Sequence, residues 1–174
     1  KAISSAAPQA KVSVVQSNHD EFIGRWLREA DYRADPENAV LFLRMQLKAY
    51  ETIAVTNDQP DMLPLLVWAT GQKLPENVEF VPEGNTLKIA DIECAMHGHY
   101  GPNGTRGSVN SLVNMGMKSV IGHSHVARIM DGVYSVGVTA KLRMTYNKGP
   151  SSLSHTHCVI YPNGKRALVT TKGD

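Results

Sequence analysis

An α+β domain with mixed β-sheets is what this sequence predicts, and three observations carry the prediction. Short β-branched runs such as Val12 to Val15 are too brief for helices and read as covered strands. Apolar residues recur at i, i+3 and i+4 through much of the stretch from Phe22 to about Thr70, which reads as amphipathic helices. Beyond Lys118 the pattern turns all β. At 174 residues and 42% hydrophobic content, the chain is long enough for one sizeable core and too short to argue for two.

Taken in order, "KAISSAAPQA" is a small-residue, weakly structured lead-in covering residues 1–11, and residues 12–174 form the domain. Because the chain opens on Lys1 and not on Met, it is expected to continue a longer polypeptide. Val12 to Val15 is the first strand. "DEFIGRWLREADYR" follows as a helix with Phe22, Ile23, Trp26, Leu27 and Ala30 on its apolar face. Asp35 and Pro36 suit an N-cap and first turn, opening a helix that carries Val40, Leu41, Leu43, Leu47 and Tyr50 to about Ile53. A shorter helix from Leu63 to Thr70 stops at Gly71, and both helices are expected to cover the core. Val78 to Val81 and Leu87 to Met96 read as a hairpin joined across Glu83, Gly84 and Asn85. Ser108 caps a helix that ends at Gly116, and Lys118 to Ile121 is the next strand. "VYSVGVTAKLRMTY" continues in β, and Asn163-Gly164 predicts a type I′ turn in a final hairpin.

Composition excludes some classes. A net charge of +2 and a pI near 8.6 permit a polyanionic partner without the strongly basic footprint that would announce one. Cys94 and Cys158 form no CxxC pair and read as free thiols in a reducing compartment. No apolar run reaches the roughly 18 residues of a membrane span, so a soluble, cytoplasmic protein with no membrane partner is expected. Trp26 and Trp68 sit at helical spacing among apolar residues and read as core. Arg25, Arg28 and Arg33 read as a solvated face.

The seven histidines fall in four clusters, "SNHD", "HGHYG", "GHSH" and "SHTH". Three clusters follow a strand directly, after "VSVVQ", "IECAM" and "KSVI". Strands of one sheet ending at the same edge would gather His19, His97, His99, His123 and His125 in the crevice where α/β proteins bind ligands. Neutral imidazole is a common ligand for zinc, manganese and iron, and on an extended chain the i, i+2 spacing of "GHSH" turns both rings to one side. The pattern therefore points to a metal site. "GPNGTRGS", Gly101 to Ser108, is a glycine-rich loop that, with Arg106, suits either a phosphate oxygen or an ordinary surface. His155 and His157 share a strand face.

In this order, "NHD", "HGH" and "GHSH" resemble the second half of the calcineurin-like metallophosphoesterase signature, DxH, GDxxD, GNH[DE], H, GHxH. The resemblance runs from Val12 to the last hairpin, and the segment after "NHD" is most similar to phage-encoded members. It implies a four-layer α/β/β/α sandwich with mixed β-sheets, here without its N-terminal strands. Two divalent cations are implied as cofactors, Mn, Fe or Zn with Mn favoured. Asn18, His97 and His123 would then ligate the second metal and His125 the first. His19 would act as general acid or phosphate contact, oriented by Asp20. His99 could replace His97 as a ligand, but the signature's ligand is the first histidine after the strand, which leaves His99 behind the ligands or on the substrate side; Arg106, from its loop, is a candidate substrate contact.

The sequence departs from that signature in one respect: DxH and GDxxD are absent, and no acidic residue precedes Asp20. Gln16 and Ser17 also stand where glycine is usual. Asp31, Asp35, Asp91 and Asp131 match no ligand pattern and read as caps or surface. The expectation is thus a C-terminal portion of a metallophosphoesterase domain, of little activity by itself. The whole would be a hydrolase of phosphate esters through a dinuclear centre, favoured as a phosphodiesterase or nuclease on DNA or RNA and open to homo-oligomerisation. The alternatives are a phosphomonoesterase on proteins or nucleotides, and a non-catalytic metal-binding scaffold.

Overall fold

Val12–Val15, β-branched at three of its four positions, extends as β1 and pairs in parallel with β2, Val78–Val81, in the register Val12 to Val78. The computed structural model describes residues 2–142 and 150–171. It is mixed α+β and divides into two compact units, Lys1–Pro82 and Glu83–Asp174.

In the first unit the parallel pair needs a crossover, and three helices supply it: α2 (Glu21–Glu29), α3 (Ala39–Thr56) and α4 (Met62–Ala69). Leu27 of α2, Phe42, Met45 and Ala49 of α3, and Leu65 and Ala69 of α4 form one buried cluster, with Trp26 edge-on to Phe42 at 5.0 Å. Fully burying a side chain of Phe42's or Met45's size is worth about 1.5–3 kcal/mol. Below them, the Lys11 ammonium and the Ser13 hydroxyl meet Glu79 at 2.8 and 2.7 Å, and those hydrogen bonds hold the Glu79 carboxyl below its usual range. The lead-in is not unstructured throughout, since Ala2–Ala6 forms a short helix, α1.

Several expectations for this unit need correction. The cap of α3 is Asn38, not Asp35, because residues 35–38 are spent on a turn in which Asp35 accepts from the Asn38 amide at 3.0 Å. Helix α3 also presents a different face to the core. Phe42, Met45 and Ala49 are buried, while Val40, Leu43, Leu47 and Tyr50 lie 44–64% exposed, since both faces of this helix are apolar and periodicity cannot choose between them. Trp68 is 53% exposed with the Lys48 ammonium above its ring at 5.8 Å, not core. Arg33 pairs with Asp31 at 2.8 Å and Arg25 lies over Phe22, both at the surface.

The second unit is built on a five-stranded sheet, order β3-β4-β5-β7-β6. Its strands are β3 (Lys88–Ile89), β4 (Ile92–Glu93), β5 (Ser119–Ile121), β6 (Arg128–Met130) and β7 (Val133–Ser135). The predicted hairpin from Val78 to Met96 does not form, for β2 pairs with β1 and the reversal comes later. Ala90 and Asp91 both take positive φ, 49° and 62°, and turn β3 directly onto β4. Asp131 and Gly132 do the same between β6 and β7. Helix α5 (Val109–Val113), closed by a Ser108–Ser111 capping box, carries the chain from β4 to β5. Val109 and Leu112 pack on Ile121 and Val133 to form the core here.

A separate hairpin, β8 (His155–Ile160) with β9 (Arg166–Thr171), completes the unit. Its loop spans residues 161–165, and only Gly164 takes positive φ, so it is a longer bulged turn and not the two-residue type I′ expected of Asn163-Gly164. Residues 143–146 of the predicted "VYSVGVTAKLRMTY" β-run lie outside the described residues. Arg166 ties β9 to the main sheet, donating to the Ser119 and Gly132 carbonyls at 2.8 and 2.6 Å with its guanidinium 4.0 Å from the Tyr134 ring centre. No helix among the described residues is long and apolar enough to cross a membrane.

Two predictions follow from these packing arrangements. Arg166→Ala removes two charged hydrogen bonds and a ring contact, and urea denaturation should register a loss of about 2–3 kcal/mol; an unchanged midpoint would mean that Arg166 ties nothing. Cys94 and Cys158 are free, and burial pushes the Cys94 thiol up to about 11 from an ordinary value of 9.0. An unfolded thiol ionises above the ordinary value while the folded one stays protonated, so this contribution is present below about pH 9 and lost as pH rises toward about 11. Stability measured across that window should fall less steeply in Cys94→Ala than in the parent.

Candidate metal centre

The "HGH" and "GHSH" segments leave adjacent parallel strands, β4 and β5, which pair through Glu93 and Ser119. That ladder is short, and two further devices carry the alignment past it. Glu93, 5% exposed, accepts the Leu87 and Ala95 amides on one carboxylate oxygen at 3.1 and 2.7 Å, fixing the chain as it leaves β4. The His97 carbonyl then accepts both the Gly122 and His123 amides, at 3.0 and 2.9 Å. The two histidine segments are thereby joined backbone to backbone.

Their rings meet as a result. His97 Nε2 and His123 Nδ1 stand 3.3 Å apart, and the ring centres are 5.2 Å apart at 73°. His99 joins them, its ring centre 5.5 Å from His97 and 6.0 Å from His123, and packs on Tyr100 at 4.2 Å. The His97–His123 contact is a ring-to-ring hydrogen bond, its donor set by the tautomers, and its length also matches the roughly 3.3 Å between two nitrogens that each sit about 2.0–2.1 Å from one tetrahedral cation. Among the described residues, no group of three or more His, Cys, Asp or Glu side chains is placed to hold a metal. What this unit brings together is a pair of imidazoles in contact, with a third ring beside them.

Close backbone approach makes the arrangement possible. Gly98 takes φ 102°, and a Cβ there would stand 3.1 Å from Ile121 Cβ. Gly107 donates to the His99 carbonyl at 2.7 Å, and a Cβ on it would run into the Gly98 carbonyl oxygen. Beside it, Tyr100 and Arg106 form an isolated antiparallel bridge that closes the "GPNGTRGS" loop. "GHSH" is not extended as expected: the His125 amide bonds to the Gly122 carbonyl at 3.2 Å and His125 takes φ 58°, so the segment is a tight turn. The i, i+2 argument for placing His123 and His125 on one side accordingly falls away.

Asn18, His19 and Asp20 lie in the first unit, on the turn between β1 and α2. The corner is closed by Asp20, whose Oδ2 accepts from the Ser17 amide and hydroxyl at 2.7 and 3.0 Å. His19 is exposed and lies edge-on to Phe22 at 5.6 Å. Strand β1 belongs to the β1–β2 sheet and not to the sheet of β4 and β5, so the three histidine-bearing strands do not share one sheet as the sequence suggested. The other acidic residues serve locally, Asp31 and Asp35 in turn hydrogen bonds, Asp91 and Asp131 at positive φ. His155 bonds through Nε2 to the Ala140 carbonyl at 2.8 Å, and His157 is exposed on β8.

A cavity of about 700 Å³ opens beside His123. Arg106 lines it, as does Arg128, a residue that motif reading passed over. Its only sequence signal is its place three residues after "GHSH", at the start of a short strand.

The chain is 41% identical over 162 residues to Protein A1 of Escherichia phage T5, an alignment covering 91% of this chain and 29% of the phage protein. It thus spans less than a third of that relative's length. No family model matches the sequence. No solved structure matches it.

Gly107→Ala should be costly, because backbone and not a flexible side chain occupies the space. A loss of about 1–3 kcal/mol is expected, read as a lowered melting temperature together with altered His97 and His123 imidazole NMR shifts. A variant with the parent's melting temperature and shifts would show that the close approach is not needed.

Proposed function

We propose that this chain is the C-terminal part of a calcineurin-like metallophosphoesterase that hydrolyses phosphate esters, with phosphodiesters favoured. The observation that carries this reading is the His97–His123 nitrogen pair at the separation expected of two ligands on one cation, on loops leaving neighbouring parallel strands. The ordered motifs support it, as does the relative's phage origin, which agrees with the phage-like character of the segment after "NHD". The four-layer sandwich belongs to the same proposal.

Bound divalent cations, Mn, Fe or Zn, would supply Lewis acidity at the phosphoryl oxygens and a low-pKa water. What the chain's own residues contribute is more specific. His97 and His123 would hold a cation through their imidazole nitrogens, and the His97 carbonyl fixes the two segments against each other. The ligand roles that the resemblance implies for Asn18 and His125, and the proton transfer that it implies for His19, belong to the same proposal and rest on the motifs. Arg106 faces the cavity next to His123 and meets the phosphate, with His99 beside the imidazole pair.

The test is hydrolysis by the full-length protein of bis-(p-nitrophenyl) phosphate against p-nitrophenyl phosphate, with Mn²⁺ added and removed. Preference for the diester, abolished by chelation, supports the reading, and preference for the monoester moves it to a phosphomonoesterase. Hydrolysis of neither substrate, with no metal retained, overturns it. His123→Ala should lose bound metal and activity together, measured by elemental analysis and rate. His19→Ala should keep the metal and lose about 10²–10⁴-fold in rate; undiminished turnover would remove His19 from proton transfer.

A further inference from the structure

We propose that Arg128 is a specificity-determining residue that binds a second phosphate, next to the one being cleaved, so that the substrate is a nucleic-acid strand and not an isolated phosphodiester. This rests on the phosphoesterase reading and extends it to the class of substrate.

The cavity beside His123 carries the argument. At about 700 Å³ it falls within the roughly 300–1,000 Å³ range of sites that enclose whole small ligands, far more than one phosphate requires. Its polar lining is cationic and hydrogen-bonding, with Arg106, Arg128, His123, Ser108, Asn110 and Ser124, and no carboxylate. Neither Arg106 nor Arg128 forms an ion pair with another described residue. The two come from separate elements. Arg106 sits on the loop bridged to Tyr100, and Arg128 begins β6, the edge strand of the sheet, paired with Ser135.

One guanidinium beside the imidazole pair suffices for a single phosphate. A second, from a separate element lining the same large cavity, suits a ligand that repeats its charge along its length. A sugar–phosphate strand does so, and guanidinium is suited to phosphate because it offers paired donors in one plane. Val109 and Val126 on the same lining give the sugar or base an apolar surface. Arg128 is exposed on an edge strand and outside the buried cluster of Val109, Leu112, Ile121 and Val133, so replacing it leaves the fold intact.

The test uses full-length protein with Mn²⁺, comparing the parent with Arg128→Ala and Arg128→Lys. The substrates are bis-(p-nitrophenyl) phosphate, a thymidine dinucleotide with one phosphate and a trinucleotide with two, with the matching uridine series to separate DNA from RNA. Arg128→Ala should lose roughly tenfold or more in kcat/KM on the trinucleotide while the one-phosphate substrates change little, and Arg128→Lys should recover part of that loss. Equal losses on all substrates, or no loss on any, would overturn the second-phosphate site. A separate reading comes from anisotropy of labelled oligothymidylate. The slope of log binding constant against log salt should fall by about 0.7 in Arg128→Ala, one phosphate contact on a single strand. If no substrate is hydrolysed yet binding keeps this dependence on Arg128, the catalytic reading fails and the strand-binding groove stands; if binding is also indifferent to Arg128, both fail.

Discussion

The meeting of the histidine segments in the second unit depends on one carbonyl. His97 O accepts two amides, Gly122 and His123, just where the β4–β5 ladder has run out. A parallel pair recorded through a single residue pair gives little directional control, and loops beyond it would ordinarily drift apart. Two hydrogen bonds onto one oxygen stop the drift and fix the segment carrying His97 against the segment carrying His123. The imidazole nitrogens of His97 and His123 then come within hydrogen-bonding distance, 3.3 Å apart.

Glycine and a buried carboxylate make that carbonyl available. Gly98 takes a left-handed φ and lies against Ile121, and Gly107 brings a second backbone against the Gly98–His99 peptide. Glu93 is acidic and nearly buried, yet it is a structural group: its oxygen is occupied by the Leu87 and Ala95 amides, which set the path into "HGH". The cavity beyond is lined by arginines and imidazole without an acidic residue, a field that favours anions. Imidazoles, guanidiniums and closely packed backbone thus lie in one small region.

The first unit is held differently. Its β1–β2 pair is spanned by three helices around Phe42 and Met45, and the turn bearing Asn18 and His19 is closed by Asp20 onto Ser17. Asp20 therefore acts first on its own backbone.

Local readings were legible in the sequence wherever a short-range rule decides. Val12–Val15 as strand, Ser108 as cap, Gly71 and Gly116 at helix ends, and histidines just past strands all follow from residues within a few positions of one another. Choices among distant partners were not legible. The sequence could not reveal that β2 prefers β1 to a hairpin with the next strand, since both pairings satisfy the same alternation. Nor could it select the buried face of α3, a helix apolar on both sides, or the tight turn of "GHSH", which follows from the His125 amide bonding to the Gly122 carbonyl. Arg128 shows the limit most plainly: as a letter it is one of many basic surface residues, and only the folding of β6 beside β7 sets it on the wall of a cavity. Residue chemistry and local backbone preference are properties of sequence, whereas proximity between residues far apart along the chain is decided by which long-range pairing has the lowest free energy in three dimensions.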